Sequence, residues 1–305
     1  MQILHDDDVL RLLAPTESLA VLETFFMQRA QGDYTGAPRW HLPFGREKHL
    51  TLTPGGGGAH IGFRAYLRGS GFAQNDQLTA VWDAQSGALD GIVVGPLLGA
   101  MRTGAIGGVA AKHLARFEAT RVALIGTGRQ AYTQLRHVLA ARIAVDEVRV
   151  HSRTPEHRAA FVADMADLLP KRLRLVDAES AEVAVRGADI IIGATNSTTP
   201  VIRGEWLKPG AHVTTVGPKG ATLRETDPEV VARADFIATD SPEQARASAA
   251  GLITDGTTKP LYDLAAVVSR QAGRPSDESI TLFISTGLAG TEVALAAHLL
   301  RKAAR

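Results

Sequence analysis

The sequence predicts an α/β protein: a doubly wound parallel sheet accompanied by a second, discontinuous α+β domain. From Arg121 onward, short apolar runs alternate with stretches of helical length, which is typical of a parallel sheet covered on both faces. Before that point, β-like runs are interrupted by Pro and Gly turns, which favours a smaller sheet of antiparallel or mixed strands. The tail from Ser285 begins with glycines and ends as an apolar helix. We expect the tail to return to the N-terminal domain and a cleft to lie between the domains.

Each element follows from its residue pattern. Apolar residues at helical spacing between Asp7 and Arg29 predict one or two opening helices. Strands are then predicted within 34–43, 50–58, 59–66, 77–82 and 88–94, followed by a helix of small residues within 99–114. Further strands are predicted at 122–125, 148–151, 173–176, 189–193, 211–216 and 235–239, with helices after Gly128, at 155–169 and at 180–186. The predicted domains are residues 1–107 completed by 286–305, and residues 108–285.

Composition excludes several classes of protein. The formal net charge is +1 and basic and acidic residues are interspersed, so neither a nucleic-acid surface nor a membrane surface is predicted. No apolar run is long enough to cross a bilayer, and the acidic N-terminus is unlike a signal peptide. The absence of cysteine excludes disulfides, thiolate metal sites and a cysteine nucleophile. We expect a cytoplasmic protein without a metal site.

A glycine-rich turn follows the first strand of the predicted parallel sheet. Gly126 and Gly128 are followed by the small Ala131, in the pattern Gly-x-Gly-x-x-Ala between a strand and a helix. In a dinucleotide-binding Rossmann unit, the first glycine makes the turn, the second lets a pyrophosphate approach, and the third residue permits close packing. Chance turn glycines are the alternative, but the flanking strand and helix favour the dinucleotide. The predicted cofactor contacts here are Gly126, Thr127, Gly128, Arg129, Gln130 and Ala131.

The end of the second strand discriminates between the two nicotinamide cofactors. A carboxylate at this position usually binds the ribose hydroxyls of NAD, whereas an arginine accommodates the 2′-phosphate of NADP. The sequence has Ser152, Arg153 and Thr154 here and no acid, so NADPH is predicted and NAD is the alternative. The competing interpretation is a turn before Pro155 with a solvated arginine.

Polar residues also follow later strands of the predicted sheet. Residues at the carboxyl ends of parallel strands line the ligand crevice, so Ala194, Thr195 and Asn196 are predicted cofactor contacts, with simple turn chemistry as the alternative. Val216 and Lys219 follow the next strand and lie at the same predicted edge. Lys219 is either near the reacting centre or an ordinary solvated loop lysine.

Three arginines of the N-terminal domain have apolar or small neighbours: Arg39, Arg64 and Arg102. Because burial of an unpaired charge is costly, such arginines usually have a partner. Each alone is most simply interpreted as part of a structural ion pair. Together they are typical of a carboxylate pocket, since a guanidinium donates two parallel hydrogen bonds to a carboxylate.

Several motifs in order resemble the ornithine cyclodeaminase/mu-crystallin family. They are Pro38-Arg39, Gly62-Phe-Arg64, Met101-Arg-Thr103, the turn around Gly126, 188–197, Leu207-Lys-Pro-Gly-Ala-His212 and Gly287-Leu-Ala289. The resemblance extends over nearly the whole chain. It implies a nicotinamide-binding Rossmann domain, a substrate-binding and dimerisation domain built from both chain ends, and a homodimer. It also implies that Arg39 and Arg102 bind the substrate carboxylate and that Thr103 contacts the cofactor.

Two positions depart from the family pattern. Arg64 replaces a lysine common in the family, and Lys219 stands where cyclodeaminases carry an aspartate thought to act on the substrate amines. Without that carboxylate, a cyclodeaminase lacks its general base. Arginine is a poor proton donor because its pKa is above about 12, so Arg64 is expected to bind or polarise the substrate.

The predicted function is NADPH-dependent reduction of imines that carry a carboxylate, such as Δ1-pyrroline-2-carboxylate or Δ1-piperideine-2-carboxylate. Arg39, Arg64 and Arg102 hold the carboxylate in this prediction. Lys219 is the first candidate for the proton donor if burial lowers its pKa, with a water or His41 as alternatives. The competing functions are an ammonia-releasing ornithine cyclodeaminase that uses NAD and a non-enzymatic NADPH-dependent binder like mu-crystallin.

Overall fold

The computed structural model describes residues 1–69, 72, 76–248 and 251–304. The chain forms two compact units, of which unit 1 comprises Met1–Ala105 and Gly287–Arg305 and unit 2 comprises Ile106–Thr286. Unit 1 is therefore built from both ends of the chain. Within the described residues, no helix is long and apolar enough to span a membrane.

The elements follow one another through the two units. The chain begins with β1 (Gln2–Leu4), α1 (Asp6–Leu12), α2 (Pro15–Ala30), β2 (Thr35–Gly36), β3 (Trp40–Pro43), β4 (His49–Gly57), β5 (His60–Arg68), β6 (Gln77–Asp83), β7 (Leu89–Val94) and α3 (Leu97–Leu114). It continues with β8 (Arg121–Ile125), α4 (Arg129–Ala141), β9 (Glu147–His151), α5 (Pro155–Leu168), β10 (Arg174–Asp177), α6 (Ala181–Val185), β11 (Ile190–Gly193), a 3-10 turn (Gly204–Trp206) and β12 (His212–Thr215). The last elements are α7 (Pro228–Arg233), β13 (Phe236–Thr239), α8 (Pro242–Arg246), β14 (Leu261–Asp263), α9 (Leu264–Val268), β15 (Thr281–Ile284) and α10 (Thr291–Ala303).

Unit 1 contains a mixed sheet with the strand order β1-β7-β6-β5-β4-β2, and β3 also pairs with β4. Only the β1–β7 pair is parallel among these pairings. Helix α10 packs on one face, because a Cβ built on Gly62 of β5 would lie 3.3 Å from Val293. Arg64 lies two residues after Gly62 on β5, so its side chain points to the same face of the sheet.

The opposite face of the mixed sheet is apolar. Strand pairing places Ile61 opposite Trp82 and Leu67 opposite Leu50, and alternate residues of a strand share a face. We call this surface the apolar face; its members are Ile3, Trp40, Leu42, Leu50, Leu52, Ile61, Phe63, Leu67, Leu78, Trp82, Ile92 and Val94. Several are exposed, with Trp40 at 56% and Ile61 at 43% of their maximum area.

Unit 2 is organised around an eight-stranded parallel sheet with the order β10-β9-β8-β11-β12-β15-β13-β14. Its central strands are buried on both faces, whereas the edge strands β10 and β14 are partly exposed. Ile191 and Val213 pack in one apolar cluster with residues of α6 and α7, whereas Leu124 and Ile192 pack in another with residues of α4 and α5. The predicted fold class, a doubly wound α/β sheet with a discontinuous α+β partner domain, is confirmed.

The sequence analysis did not predict β15, which lies between β12 and β13 and pairs with both. Its four residues are fully buried and apolar or threonine. Four buried residues fit a strand and a helical turn equally well, so β15 was not assigned, although the equally short β12 and β13 were. β1, β14 and the helices α7, α8 and α9 were also not predicted.

Candidate functional site

The predicted glycine turn connects β8 to α4. Gly126 has a φ of +111°, its N–H donates to the His151 carbonyl over 2.8 Å, and a Cβ there would overlap the Ala194 carbonyl. Glycine is therefore required at this position by both backbone conformation and space. Gly128 precedes α4 with an extended backbone, and a Cβ built on it has no described neighbour within 4 Å.

The start of α4 has the features of a phosphate site. No side chain among the described residues caps this helix, so its first N–H groups are available to an anion beside the open side of Gly128. Ala131 is fully buried, as close helix–strand packing requires, and Thr127 is half-buried. Arg129 is exposed. Gln130 Oε1 is buried and accepts no hydrogen bond from the described part of the chain. It is therefore available to accept a hydrogen bond from a ligand.

The end of β9 carries the three residues predicted to select the cofactor. Ser152 Oγ donates to the Thr154 carbonyl over 3.2 Å, and Arg153 is exposed. Arg158 of α5 was not predicted; its Nη1 donates to the Ser152 carbonyl over 3.1 Å and its Nε contacts Asp177. The neighbouring carboxylate at the end of β10 is thus already paired with a cation.

Glu225 joins the loops that follow β11 and β12. Its Oε1 accepts hydrogen bonds from Thr195 N at 2.6 Å and Thr195 Oγ1 at 2.8 Å, and its Oε2 accepts from Gly217 N at 2.7 Å. Burial raises the pKa of Glu225, although these hydrogen bonds and the charge of Lys219 act in the opposite direction. Sequence analysis missed this residue because no local pattern distinguishes it from a surface acid. It fixes the backbone at Thr195, a predicted cofactor contact, and at Gly217, which follows the predicted contact Val216.

The remaining predicted residues of unit 2 lie in the same two loops. Ala194 N donates to Ile125 over 2.9 Å, Val216 N donates to Gly193 over 2.8 Å, and Asn196 is exposed. Lys219 is half-buried, and its Nζ donates to the Val216 carbonyl over 3.0 Å. Because the strands are parallel, these loops and the glycine turn all lie at the carboxyl edge of the sheet.

In unit 1, Arg64 and Arg102 meet at a buried carboxylate. Glu292, in the first turn of α10, is 2% exposed. Its Oε1 accepts from Arg64 Nη1 at 2.8 Å, from Arg102 Nε at 2.9 Å and from Arg102 Nη2 at 2.6 Å. Burial alone would raise the pKa of Glu292, but the two guanidinium groups outweigh burial and lower it to about 2.

The third arginine, Arg39, approaches Arg102 on the side away from Glu292. A Cβ built on Gly287, which has a φ of +87°, would overlap Arg39 Nη2 and lie 3.1 Å from Arg102 Nη1. Glycine thus makes room for two guanidinium groups at one point. The three predicted arginines are therefore brought together, although sequence analysis missed Glu292. A single acid at the start of an apolar helix resembles ordinary helix-end charge, which hides its role.

The other two predicted residues, Thr103 and His41, each have contacts of their own. Thr103 lies in the unit 1 part of α3, where its Oγ1 donates to the Gly99 carbonyl over 2.8 Å. His41 Nδ1 lies 3.0 Å from Thr51 Oγ1 on the sheet face that carries Arg64. Desolvation, followed by the positive charges of His49 and nearby arginines, lowers the pKa of His41. His41 is therefore mostly uncharged at neutral pH.

The glycine turn, the open start of α4 and the strand-end loops define unit 2 as a dinucleotide-binding Rossmann fold. The sequence profile of the ornithine cyclodeaminase/mu-crystallin family matches residues 2–305, and the chain belongs to this family. A Delta(1)-pyrroline-2-carboxylate reductase of Bacillus cereus is 35% identical over 228 residues, covering 72% of this chain and 69% of that protein. The predicted family is confirmed.

Solved structures share the fold over nearly the full length. The Thermococcus litoralis Delta(1)-pyrroline-2-carboxylate reductase in complex with NADH and L-proline has a TM-score of 0.86 and 26% identity, covering 100% of this chain and 98% of that chain. An archaeal alanine dehydrogenase dimer with bound NAD has a TM-score of 0.85 and 27% identity, covering 99% of this chain and 95% of that chain. Among the described residues, no group of three His, Asp or Glu side chains is placed to hold a metal ion.

Proposed function

We propose that the protein is an NADPH-dependent reductase of imines that carry a carboxylate, of the Δ1-pyrroline-2-carboxylate or Δ1-piperideine-2-carboxylate type. The observation that carries this proposal is the convergence of Arg39 and Arg102 on Gly287, with Arg102 fixed by Glu292. Two guanidinium groups at one point suit a carboxylate. The reduction product of such an imine, L-proline, is bound in the Thermococcus relative.

The reaction class is oxidoreduction at a carbon–nitrogen bond. The nicotinamide, when bound, supplies a hydride to the imine carbon, and the nitrogen takes up a proton, so the products are the amino acid and the oxidised cofactor. In this proposal, Arg39 and Arg102 hold the substrate carboxylate. The residues of the glycine turn and of the loops joined by Glu225 hold the dinucleotide.

We propose NADPH rather than NADH as the preferred cofactor. Arg153 is exposed at the end of β9, and Asp177, at the end of the neighbouring strand β10, is paired with Arg158. This leaves positive charge where a 2′-phosphate is expected. Fluorescence titration of both cofactors is the test, and tighter binding of NADH would contradict the proposal.

We propose Lys219 as the source of the proton. Its Nζ is held 3.0 Å from the Val216 carbonyl, at the edge where the cofactor contacts lie. Lys219→Met keeps an unbranched side chain of similar length and removes the ammonium group. Turnover should therefore fall by about tenfold to a hundredfold, while the dissociation constant of NADPH stays within about twofold. Unchanged turnover would remove Lys219 from the mechanism.

A substrate panel tests the function as a whole. Cyclic imino acids, and 2-oxo acids mixed with amines, are supplied with NADPH, and the loss of NADPH absorbance is recorded. An imine reductase consumes NADPH stoichiometrically. A cyclodeaminase releases ammonia from ornithine without net change in cofactor absorbance, and a binder changes neither signal.

We also propose a homodimer that forms through the apolar face. Ile61, Leu67 and Trp40 on this face are 43%, 38% and 56% exposed, and they belong to one continuous surface of the sheet. A contiguous apolar surface of this kind usually marks a protein interface. The archaeal relative with bound NAD is a dimer.

A further inference from the structure

Glu292 forms a triad with Arg64 and Arg102 that has an unbalanced charge. One carboxylate faces two guanidinium groups, so the triad carries one surplus positive charge, and Arg39 Nη2 also approaches Gly287. The side chains of Arg64, Arg102 and Glu292 are only 12%, 7% and 3% exposed. Buried ion pairs are costly to desolvate and contribute little to stability as such. A surplus of buried positive charge instead indicates a site that is completed by an anion.

The two arginines of the triad are held differently. Glu292 Oε1 contacts Nε and Nη2 of Arg102, which fixes the plane of this guanidinium. The remaining nitrogen, Nη1, lies on the side of Gly287, where Arg39 Nη2 also arrives. Arg102 therefore has one edge committed to Glu292 and its remaining terminal nitrogen directed to the point that we assign to the substrate carboxylate.

Arg64 has contacts on several sides. Its Nη1 donates to Glu292, its Nε and Nη2 donate to Gln77 Oε1, and its guanidinium lies 4.4 Å from the centre of the Tyr66 ring. A Cβ built on Gly99 would lie 2.6 Å from Arg64 Nη2, so the backbone of α3 closes a further side. These contacts hold Arg64 as a fixed cation against Glu292.

Glu292 is itself held firmly. It is in the first turn of α10, where the helix dipole favours a carboxylate, and its Oε2 accepts a hydrogen bond from Thr291 Oγ1 over 3.2 Å. Gly290, which precedes the helix with a φ of +84°, packs so closely that a Cβ there would lie 2.8 Å from Gly56 N. The start of α10 is thereby anchored on β4.

We propose that Glu292 is a positioning residue that aims Arg102 at the substrate carboxylate, and that Arg64 is its second counter-ion rather than a substrate ligand. This assignment rests on the proposed function of the site. The assignment predicts that the loss of Glu292 weakens the binding of a substrate that carries a carboxylate and leaves the binding of an imine without a carboxylate unchanged.

The experiment compares Δ1-pyrroline-2-carboxylate with 1-pyrroline, which lacks the carboxylate, in the full-length enzyme. Glu292→Gln keeps the shape of the side chain and removes its charge. For the carboxylate substrate, KM should rise by about tenfold or more, because a buried charge pair is broken. For 1-pyrroline, kcat/KM should stay within about twofold, and so should the NADPH dissociation constant. An equal loss on both substrates would make Glu292 merely structural and overturn the proposal.

Two matched variants separate the arginines. Arg64→Lys keeps a cation beside Glu292, so the KM for the carboxylate substrate should change by less than about threefold. Arg102→Lys loses the forked contact and should raise this KM by about tenfold or more. Equal increases for the two variants would show that Arg64 is a substrate ligand. This pair decides the assignment of Arg64 even if Glu292→Gln does not fold.

Calorimetry separates this proposal from the proposed function. If the wild-type enzyme reduces no imine, L-proline and pyrrolidine are titrated in the presence of NADPH instead. A wild-type preference for L-proline that is lost in Glu292→Gln supports the positioning role without any turnover. A wild-type protein that reduces no imine and does not bind L-proline would overturn both proposals.

Discussion

Asp189 shows at the scale of one residue how charge stabilises the end of unit 2 opposite the cofactor contacts. Its Oδ2 accepts the N–H groups of Thr120 and Arg121 at 3.0 Å each, and its Oδ1 contacts Arg116 at 2.5 Å and Lys208 at 2.7 Å. Burial would raise the pKa of Asp189, but these four donors lower it to about 2. The carboxylate thus links the first residues of β8 to the start of β11.

Asp189→Asn should lower the free energy of unfolding by about 2 to 4 kcal/mol at pH 7, because the buried carboxylate is lost and two partly buried cations lose their counter-ion. The folded pKa lies below the value near 4 expected in the unfolded chain. The stabilisation by Asp189 is therefore fully present above pH 4 and is lost as the pH falls towards 2. Urea unfolding at several pH values measures this difference.

The variant should approach the wild type in stability as the pH falls through this window. Asp164→Asn, which changes an exposed acid on α5, is the control and should alter stability by less than about 0.5 kcal/mol at each pH. A difference between Asp189→Asn and the wild type that does not depend on pH would contradict the assigned role of the charge.

Prediction of single residues from sequence was possible where the residue type itself restricts the chemistry. Arg39, Arg64 and Arg102 were selected because an arginine beside small or apolar residues needs a partner; the structure places Arg39 and Arg102 at Gly287 and Arg64 at Glu292, and their role in substrate binding stays a prediction. Glu292 and Glu225 were not selected. Their importance depends on partners that are distant in the chain, such as Arg64 for Glu292, and no local pattern contains that information.

At the scale of secondary-structure elements, Glu225 links β11 to β12. The two strands are paired in register from Ile190 to Gly193, and Glu225 continues the connection beyond their ends through Thr195 and Gly217. Thr195 also packs against the glycine turn, since a Cβ built on Gly126 would lie 3.2 Å from Thr195 Cγ2. The position of one predicted cofactor loop thus depends on this carboxylate.

Glu225→Gln should raise the NADPH dissociation constant by about tenfold. Thr195 N and Gly217 N donate to different oxygens of the carboxylate, and in the amide one of these two positions is an NH2 group that cannot accept, so one loop must move. Thr195→Val, which removes only the hydroxyl contacts of Thr195, is the matched control and should raise the dissociation constant less. Fluorescence titration measures both, and an unchanged value for Glu225→Gln would refute the linkage.

Element-scale prediction succeeded for β8 and α4, which have strong patterns, and failed for β15. β8 and α4 were identified because an apolar run, a glycine turn and an amphipathic helix occur in sequence. β15 was missed although it pairs with β12 and β13 in the sheet. Its place is determined by tertiary packing between two neighbours, which a single sequence does not display.

At the scale of the whole molecule, the strand alternation of the mixed sheet assigns its two faces to different tasks. One face carries Arg64 and receives α10, whereas the apolar face presents Ile61 and Leu67. The sequence analysis predicted these strands but not which of their faces is exposed. Only the packing of α10 shows which of the two faces remains accessible.

Ile61→Asp should convert the proposed dimer into a monomer. Ile61 lies on β5 within the apolar face and is 43% exposed, so a carboxylate fits the isolated chain but would be desolvated in a dimer interface. The dimer dissociation constant should rise by about a hundredfold or more, as measured by sedimentation at micromolar concentration. Ile143→Asp in unit 2, at a site that is 78% exposed, is the control and should remain dimeric. A monomeric wild-type protein, or a dimeric Ile61→Asp variant, would exclude the apolar face as the interface.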